Sequence, residues 1–224
     1  MQYRHEWKHE INYEDLLSIR ARLRLAARPD PHAVGGKYLI RSLYFDNLSD
    51  QALREKLDGV NEREKFRIRY YNGDTSLIRL EKKSKRNGLC AKLSALLSAE
   101  EARKIVDGDL LWMLSAEDRP LLQELYCKMI DQGLAPKTIV DYTREPFIYG
   151  PGNVRVTFDY DIRTGLNSTD FLNPDCPTVP AGDAIIILEV KWDAYLPDII
   201  RDCVQTPGRR VGAFSKYAQC RIYG

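Results

Sequence analysis

Side-chain character alternates with a period of two in many segments of this chain, and that pattern predicts strands. Arg4–Ile11, Tyr38–Asp46, Lys65–Tyr71, Ser76–Lys85, Leu89–Leu97, Thr138–Ile148, Val154–Ile162 and Ala184–Trp192 all read this way. Asn72-Gly-Asp74 between two of them is a hairpin signature. Helical signals lie between the strands. Asn12 can cap a helix with Leu16, Leu17, Ile19, Leu23 and Leu25 on its apolar side. A short helix fits Asp50–Leu57, after Asp46-Asn47, which reads as strand end and turn. Ser98-Ala-Glu-Glu101 is a capping box, and a further helix spans Pro120–Asp131 with Gly133 as its stop. Pro197 begins a short helix and Ser215–Arg221 reads as a last one, while Pro29-Asp-Pro31 and Gly35-Gly36 read as loop. About eight strands with inserted helices point to a mainly β (α+β) fold. The expected form is a closed or nearly closed eight-stranded antiparallel barrel with helices packed outside, the first helix and the Pro120 helix covering its apolar faces.

One face of these strands is unusually dense in charge. Period two places Arg4, Glu6, Lys8 and Glu10 together on the first strand. Lys65, Arg67, Arg69 and Tyr71 share a face of the third, and Arg79, Glu81 and Lys83 of the fourth. Lys92 follows, then Tyr142 with Arg144, Arg155 with Thr157 and Asp159, and Glu189 with Lys191. A solvated outer face is the ordinary explanation for one such strand. Glu-x-Lys, however, recurs at Glu6/Lys8, Glu81/Lys83 and Glu189/Lys191 on strands far apart in sequence. If the sheet closes, these faces converge on one lumen, and a lumen so charged requires a polyanion, a cation and water.

Composition restricts the alternatives. The 224 residues carry 34 basic against 32 acidic groups, so net charge alone selects no polyanionic partner. Five scattered cysteines without a C-x-x-C pair read as reduced thiols, which favours a cytoplasmic setting over a disulfide framework. No apolar run approaches the roughly 18–20 residues of a membrane span, and the polar start carries no signal-peptide pattern. His5-Glu-Trp-Lys-His9 matches the H-E-x-x-H zinc motif, but a strand there turns Glu6 away from both histidines. Gly35-Gly-Lys37 lacks the first glycine of a Walker loop. The basic run Lys82–Arg86 divides between lumen and solvent, so nucleic acid is not expected as a partner.

The ordered set of segments resembles the VTC (vacuolar transporter chaperone) polyphosphate polymerase branch of the triphosphate tunnel metalloenzymes, a CYTH-like superfamily. The matching pieces are Arg4-His-Glu-Trp-Lys8, Ser42-Leu-Tyr-Phe-Asp-Asn47, Lys65-Phe-Arg-Ile-Arg-Tyr70 and Leu80-Glu-Lys-Lys83. They continue through Asp141-Tyr-Thr-Arg144, Val154-Arg-Val-Thr-Phe-Asp159, Leu188-Glu-Val-Lys191 and Phe214-Ser-Lys-Tyr217. The resemblance implies one tunnel domain over residues 1–224 that grows polyphosphate from ATP. It implies catalytic roles for Lys8, Arg67, Arg69, Lys83, Arg144, Arg155 and Lys216. It implies phosphate binding by Lys92, Lys191, Ser215 and Tyr44. Glu189 would be the main ligand of Mn²⁺ or Mg²⁺, with Glu6, Glu81 and Asp159 as further candidates. ATP and inorganic polyphosphate are the implied ligands, and a separate membrane protein at the inner membrane face is a candidate partner. Hydrolysis of triphosphates in the same tunnel, and polyphosphate binding without turnover, remain the alternative readings; oligomeric state is left open. Where relatives carry a second basic residue two positions beyond Lys92, this chain has Ser94.

Overall fold

The computed structural model describes residues 3–206, 208 and 211–222. Its strands are β1 (Tyr3–Ile11), β2 (Arg28–Pro29), β3 (Tyr38–Asp46), β4 (Arg63–Tyr71) and β5 (Asp74–Arg86). They continue with β6 (Leu89–Leu97), β7 (Ala135–Tyr149), β8 (Val154–Thr164), β9 (Val179–Pro180) and β10 (Ile186–Trp192). The order β7-β3-β4-β5-β6-β1-β10-β8, with β8 pairing back onto β7, closes eight antiparallel strands into a barrel. The two-residue strands β2 and β9 add to the sheet outside that ring, β2 ending on Pro29, the first residue of the segment expected to be loop.

Local chemistry explains the main turns and caps. Asn72 and Gly73 both have positive φ, as the two-residue β4–β5 turn requires. Helix α1 (Tyr13–Ala26) begins with a reciprocal capping box between Asn12 and Asp15. Helix α2 (Gln51–Leu57) follows β3, and α3 (Ala99–Asp107) starts on the Ser98–Glu101 box. Helix α4 (Pro120–Gln132) ends on Gly133 in the left-handed conformation. Helices α5 (Asp198–Cys203) and α6 (Lys216–Cys220) close the chain.

The barrel is apolar outside and charged inside. Leu43, Phe45, Phe66, Ile68, Ile78 and Leu80 face outward beneath α3 and α4, against Ala102, Ile105, Leu121, Leu122 and Leu125. On the opposite side α1 and α5 bury Leu16, Ile19, Leu23 and Ile200 against Val156, Phe158, Leu188 and Val190. Each fully buried residue of this kind contributes roughly 1.5–3 kcal/mol. The expected apolar face of α1 is narrower than its sequence indicates. Leu17 is 45% exposed and Leu25 91% exposed, because only a stripe three and four residues apart reaches the sheet.

The end of β3 ties the shell to the lumen. Buried Asp46 accepts hydrogen bonds from Asn47 N, Ala52 N and Leu53 N at 2.9, 2.9 and 3.1 Å, and from the Tyr217 hydroxyl at 2.7 Å. It therefore does more than end a strand: it caps α2 and anchors α6. Replacing Asp46 by Ala is expected to cost about 2–4 kcal/mol, combining a lost cap with a lost buried hydrogen bond. Urea unfolding of D46A beside wild type measures this; a difference below about 1 kcal/mol would rule out the anchor.

Candidate functional site

The lumen is a cavity of about 680 Å³, lined among the described residues by fourteen lysines and arginines against three glutamates. Strand register sets its charges in rungs. Across β4 and β5, Arg67 faces Glu81 and Lys65 faces Lys83. Across β1 and β10, Lys8 faces Glu189 and Glu6 faces Lys191. Of the lumenal residues expected from sequence, Glu10, Arg79, Glu81, Thr157 and Asp159 do not line the cavity; Glu81, Thr157 and Asp159 are buried in its wall.

Three ionic clusters result. In the first, Glu6 and Glu189 share Lys8 at 3.3 and 3.5 Å and Lys191 at 3.4 and 3.1 Å, and Lys83 donates to Glu6 at 2.9 Å. In the second, Glu81, 1% exposed, holds Arg67 at 2.6 Å, Lys92 at 2.9 Å and Arg69 at 3.8 Å. In the third, fully buried Asp159 takes both prongs of Arg144 at 2.6 and 2.7 Å and Lys216 at 2.5 Å. Arg144 also reaches Glu189 at 3.2 Å and so joins the third cluster to the first. Of the four candidate metal carboxylates, then, Glu6 and Glu189 stand together, Glu81 neutralises a separate set of cations, and Asp159 shares Arg144 with Glu189. Among the described residues no group of three or more His, Cys, Asp or Glu gathers as a complete metal site.

The cations hold these carboxylates ionised. Burial acts to raise the Glu189 pKa, but Lys191, Lys8 and Arg144 outweigh it and lower it well below the usual range. Glu81 is likewise lowered well below that range, burial being overcome by Arg67, Arg69 and Lys92. For Asp159 burial is overcome by Arg144 and Lys216, giving a value of about 2.

The remaining expected residues take varied places. Lys92 is 54% exposed, at the rim beyond Glu81. Arg155 sits at an edge of the cavity and pairs with Asp30 at 2.6 Å. Ser215 lines the cavity while its oxygen accepts from Ala218 N at 3.3 Å, capping α6 and leaving its proton free to donate inward. Lys216 is carried into the lumen by the C-terminal strap. Gly212 N donates to the Lys8 carbonyl at 2.8 Å, and Lys56 donates to the Ala213 carbonyl. The H-E-x-x-H residues lie on β1, where His5 stacks on Trp192 at 5.3 Å, so the zinc-protease helix is absent there. Ser94 is exposed and supplies no lumenal cation.

Two residues that alternation placed on the charged face, but to which no role was given, belong to the lumen. The Tyr142 hydroxyl accepts from Arg69 at 2.9 Å, and its ring lies 4.6 Å from the Lys216 ammonium and 5.5 Å from the Arg144 guanidinium. Alternation along β7 already placed Tyr142 beside Arg144, so that signal was present in the sequence. Lys65 lies over the Tyr44 ring at 5.3 Å, and Tyr44 accepts from Arg67 at 2.7 Å while stacking on Tyr217. Burial acts to raise the Tyr44 pKa, but Arg67, Lys65 and Arg69 overcome it and bring it down to about 7. Lys65 is also lowered to about 7, by burial and by the like charges of Lys83, Lys8 and Arg67 against the pull of Tyr44.

Were an anion held in the lumen, this pair would make its binding sensitive to pH. A bound polyanion favours the charged ammonium and the neutral phenol, so both pKa values rise on binding and protons are taken up near neutrality. Affinity for tripolyphosphate should fall as pH rises from about 7 to 9. At the upper end, adding the anion should diminish near-ultraviolet tyrosinate absorbance in wild type and not in Tyr44→Phe. An anion-independent tyrosinate signal would contradict the coupling.

Comparison with known proteins follows the same outline. A Bacillus halodurans protein titled a "putative adenylate cyclase" is 16% identical, with a TM-score of 0.52 over 85% of this chain and 80% of its own. The PH1012 protein of Pyrococcus horikoshii OT3 is also 16% identical, with a TM-score of 0.45 over 90% of this chain and 85% of its own. The first likeness speaks to the fold alone, and the second is too distant to add to it. Among curated proteins, none matches the chain. The model of the VTC domain, by contrast, matches residues 3–222. With nearly its whole length matched, and with the closed, charge-lined barrel in which those residues are arranged, this chain belongs to the VTC domain family.

Proposed function

We propose that this protein is a metal-dependent phosphotransferase that binds ATP and inorganic polyphosphate in its lumen and passes the γ-phosphoryl group to a growing chain. The observation that carries this reading is the convergence of excess Lys and Arg around one pair of ionised carboxylates, Glu6 and Glu189, that share Lys8 and Lys191. In this reading residues 1–224 act as a single tunnel domain. Membership of the VTC family supports a triphosphate-binding role, and chain extension is the finer step proposed here.

The donor set fits a hard divalent cation. Mn²⁺ and Mg²⁺ prefer oxygen ligands, and one or two carboxylates completed by phosphate oxygens and water suffice. Glu189 with Glu6 would supply the carboxylates, and the ammonium groups of Lys8 and Lys191 now occupy the place of positive charge between them. Glu81 and Asp159 serve instead to orient arginines. When bound, the cation supplies charge neutralisation on the phosphate oxygens.

Phosphoryl transfer through a loose transition state needs positioning and charge stabilisation more than covalent help. Arg67, Arg69 and Arg144 are pre-aimed by Glu81, Tyr142 and Asp159, so their planar forks meet phosphate oxygens with little reorganisation. Lys8, Lys83, Lys191 and Lys216 act as compact charges along the chain, with Arg155 and Lys92 toward its ends. Ser215 and Tyr44 donate hydrogen bonds when Tyr44 is protonated. The terminal oxygen of the acceptor attacks the γ-phosphorus, the bond to the ADP oxygen breaks, and ADP leaves. No protein nucleophile is required.

Incubation of the pure protein with ATP and Mn²⁺, with and without a short polyphosphate primer, tests this by phosphorus NMR. Mid-chain phosphate signals with matching ADP are the expected result. Orthophosphate without chain product would replace the polymerase by a triphosphate hydrolase, and unchanged ATP would reduce the lumen to a binding module. Glu189→Gln should lower turnover roughly 100-fold or more while sparing or tightening metal-free anion binding, because it removes one negative charge from the lumen. Retained turnover in E189Q would remove Glu189 from the reaction.

A further inference from the structure

A row of the barrel wall holds a hydroxyl with nothing to bond. Across β8, β10 and β1, antiparallel register sets Thr157 beside Glu189 and Glu189 beside Lys8. Register partners point to the same face with Cβ atoms about 4.5–5.5 Å apart, so small rotations of either side chain decide whether a hydroxyl and a carboxylate bond. Thr157 is 2% exposed, and its Oγ1 has no hydrogen-bond partner among the described residues. Ser42, Thr138 and Thr164, also buried in the barrel, are employed. Ser42 accepts from Arg69 at 2.8 Å, the Thr138 and Thr164 hydroxyls lie 3.4 Å apart, and Thr164 donates to the Cys220 carbonyl at 3.2 Å. Leaving a buried hydroxyl unbonded costs stability that valine, of the same shape, would not, so packing alone gives no reason for a threonine here.

The neighbours of Thr157 narrow its use. On the same face of β8, Arg155 is committed to Asp30 at 2.6 Å and Asp159 to Arg144 and Lys216. Of its two register partners, Pro146 on β7 carries no polar side-chain atom, and Glu189 alone has a side chain able to accept a hydrogen bond. Glu189 is occupied in another way. Its carboxylate meets Lys191 at 3.1 Å, Arg144 at 3.2 Å and Lys8 at 3.5 Å, and both lysines are shared with Glu6. These ammonium groups satisfy Glu189 without Thr157. If Lys8 and Lys191 give way to a divalent cation, Glu189 loses two partners and needs a new donor to hold its orientation. Thr157 is adjacent, buried and unspent.

We propose that Thr157 is a positioning residue for Glu189: in the metal-loaded protein its hydroxyl donates to the carboxylate and fixes the orientation in which Glu189 meets the cation. This rests on the reading of Glu189 as a metal ligand and adds the group behind it. A hydrogen bond to a liganding carboxylate holds that ligand in place, and its loss lowers metal affinity about 10–100-fold.

Tripolyphosphate binding in EDTA and in saturating Mn²⁺ tests the assignment. The quantity read is the gain in affinity that Mn²⁺ brings, in wild type, Thr157→Val, Thr157→Ser and Glu189→Gln. T157V should keep the EDTA affinity within about twofold, which shows that it is folded, and lose about tenfold of the gain; T157S should recover it. T157V should also unfold in EDTA no earlier than wild type, because the hydroxyl is unspent without metal. A full gain in T157V, a T157S variant as impaired as T157V, equal losses in EDTA and Mn²⁺, or earlier unfolding of T157V in EDTA would each overturn the role. E189Q separates this from the metal reading. A gain lost in E189Q but kept in T157V strikes Thr157 alone. A full gain in E189Q, or no gain in wild type, removes Glu189 as a ligand, and the positioning role falls with it.

Discussion

Positive charge enclosed by the barrel is the constraint on which the rest of this structure depends. Arg69, Glu81, Asp159 and Glu189 are buried, and isolated charges in such places would cost several kcal/mol each. The fold meets that cost by register. Antiparallel pairing sets Arg67 opposite Glu81 and Lys8 opposite Glu189, and it brings Arg144 to Asp159. A one-residue slip on any of these strands would turn charges outward beneath the helices and apolar residues into the lumen. The same pairs that let the barrel fold also fix the aim of the arginines, so stability and the proposed function use the same contacts.

An inside-out barrel needs an outer coat, and the inserted helices supply it. Helices α3 and α4 cover one apolar side, α1 and α5 the other. The C-terminal strap has a different task. Tyr217 reaches Asp46 and stacks on Tyr44, Arg221 pairs with Asp50, and Lys216 enters the lumen between them. One buried carboxylate, Asp46, thereby links the α2 cap, the strap and the wall that carries Tyr44.

Much of this was legible in the sequence. Alternation gave all eight barrel strands, and Asn12, Ser98, Gly133 and Asn72-Gly73 marked caps and turns that the structure has. Period two also put Arg67, Arg69, Arg144, Glu189 and Lys191 on the lumenal side, because a strand leaves a side chain only two faces. What failed depended on distance in three dimensions. Leu17 and Leu25 look like core residues along the helix but lie beyond the width of its contact with the sheet. Glu10 and Arg79 have the right parity but lie outside the lining of the cavity. The separation of Glu81 and Asp159 from the Glu6–Glu189 pair is a matter of barrel stagger, which no single strand encodes. Asp46 read as a turn residue because its partners, Leu53 and Tyr217, are remote in sequence.

The most direct test is the position of metal and anion in crystals grown with Mn²⁺ and tripolyphosphate, located by anomalous scattering. One manganese peak at the Glu6–Glu189 pair, with phosphates on Arg67, Arg69 and Arg144 inside the barrel, is the predicted result. Manganese bound elsewhere, or an anion held only on the outer surface with the lumen filled by water, would contradict it.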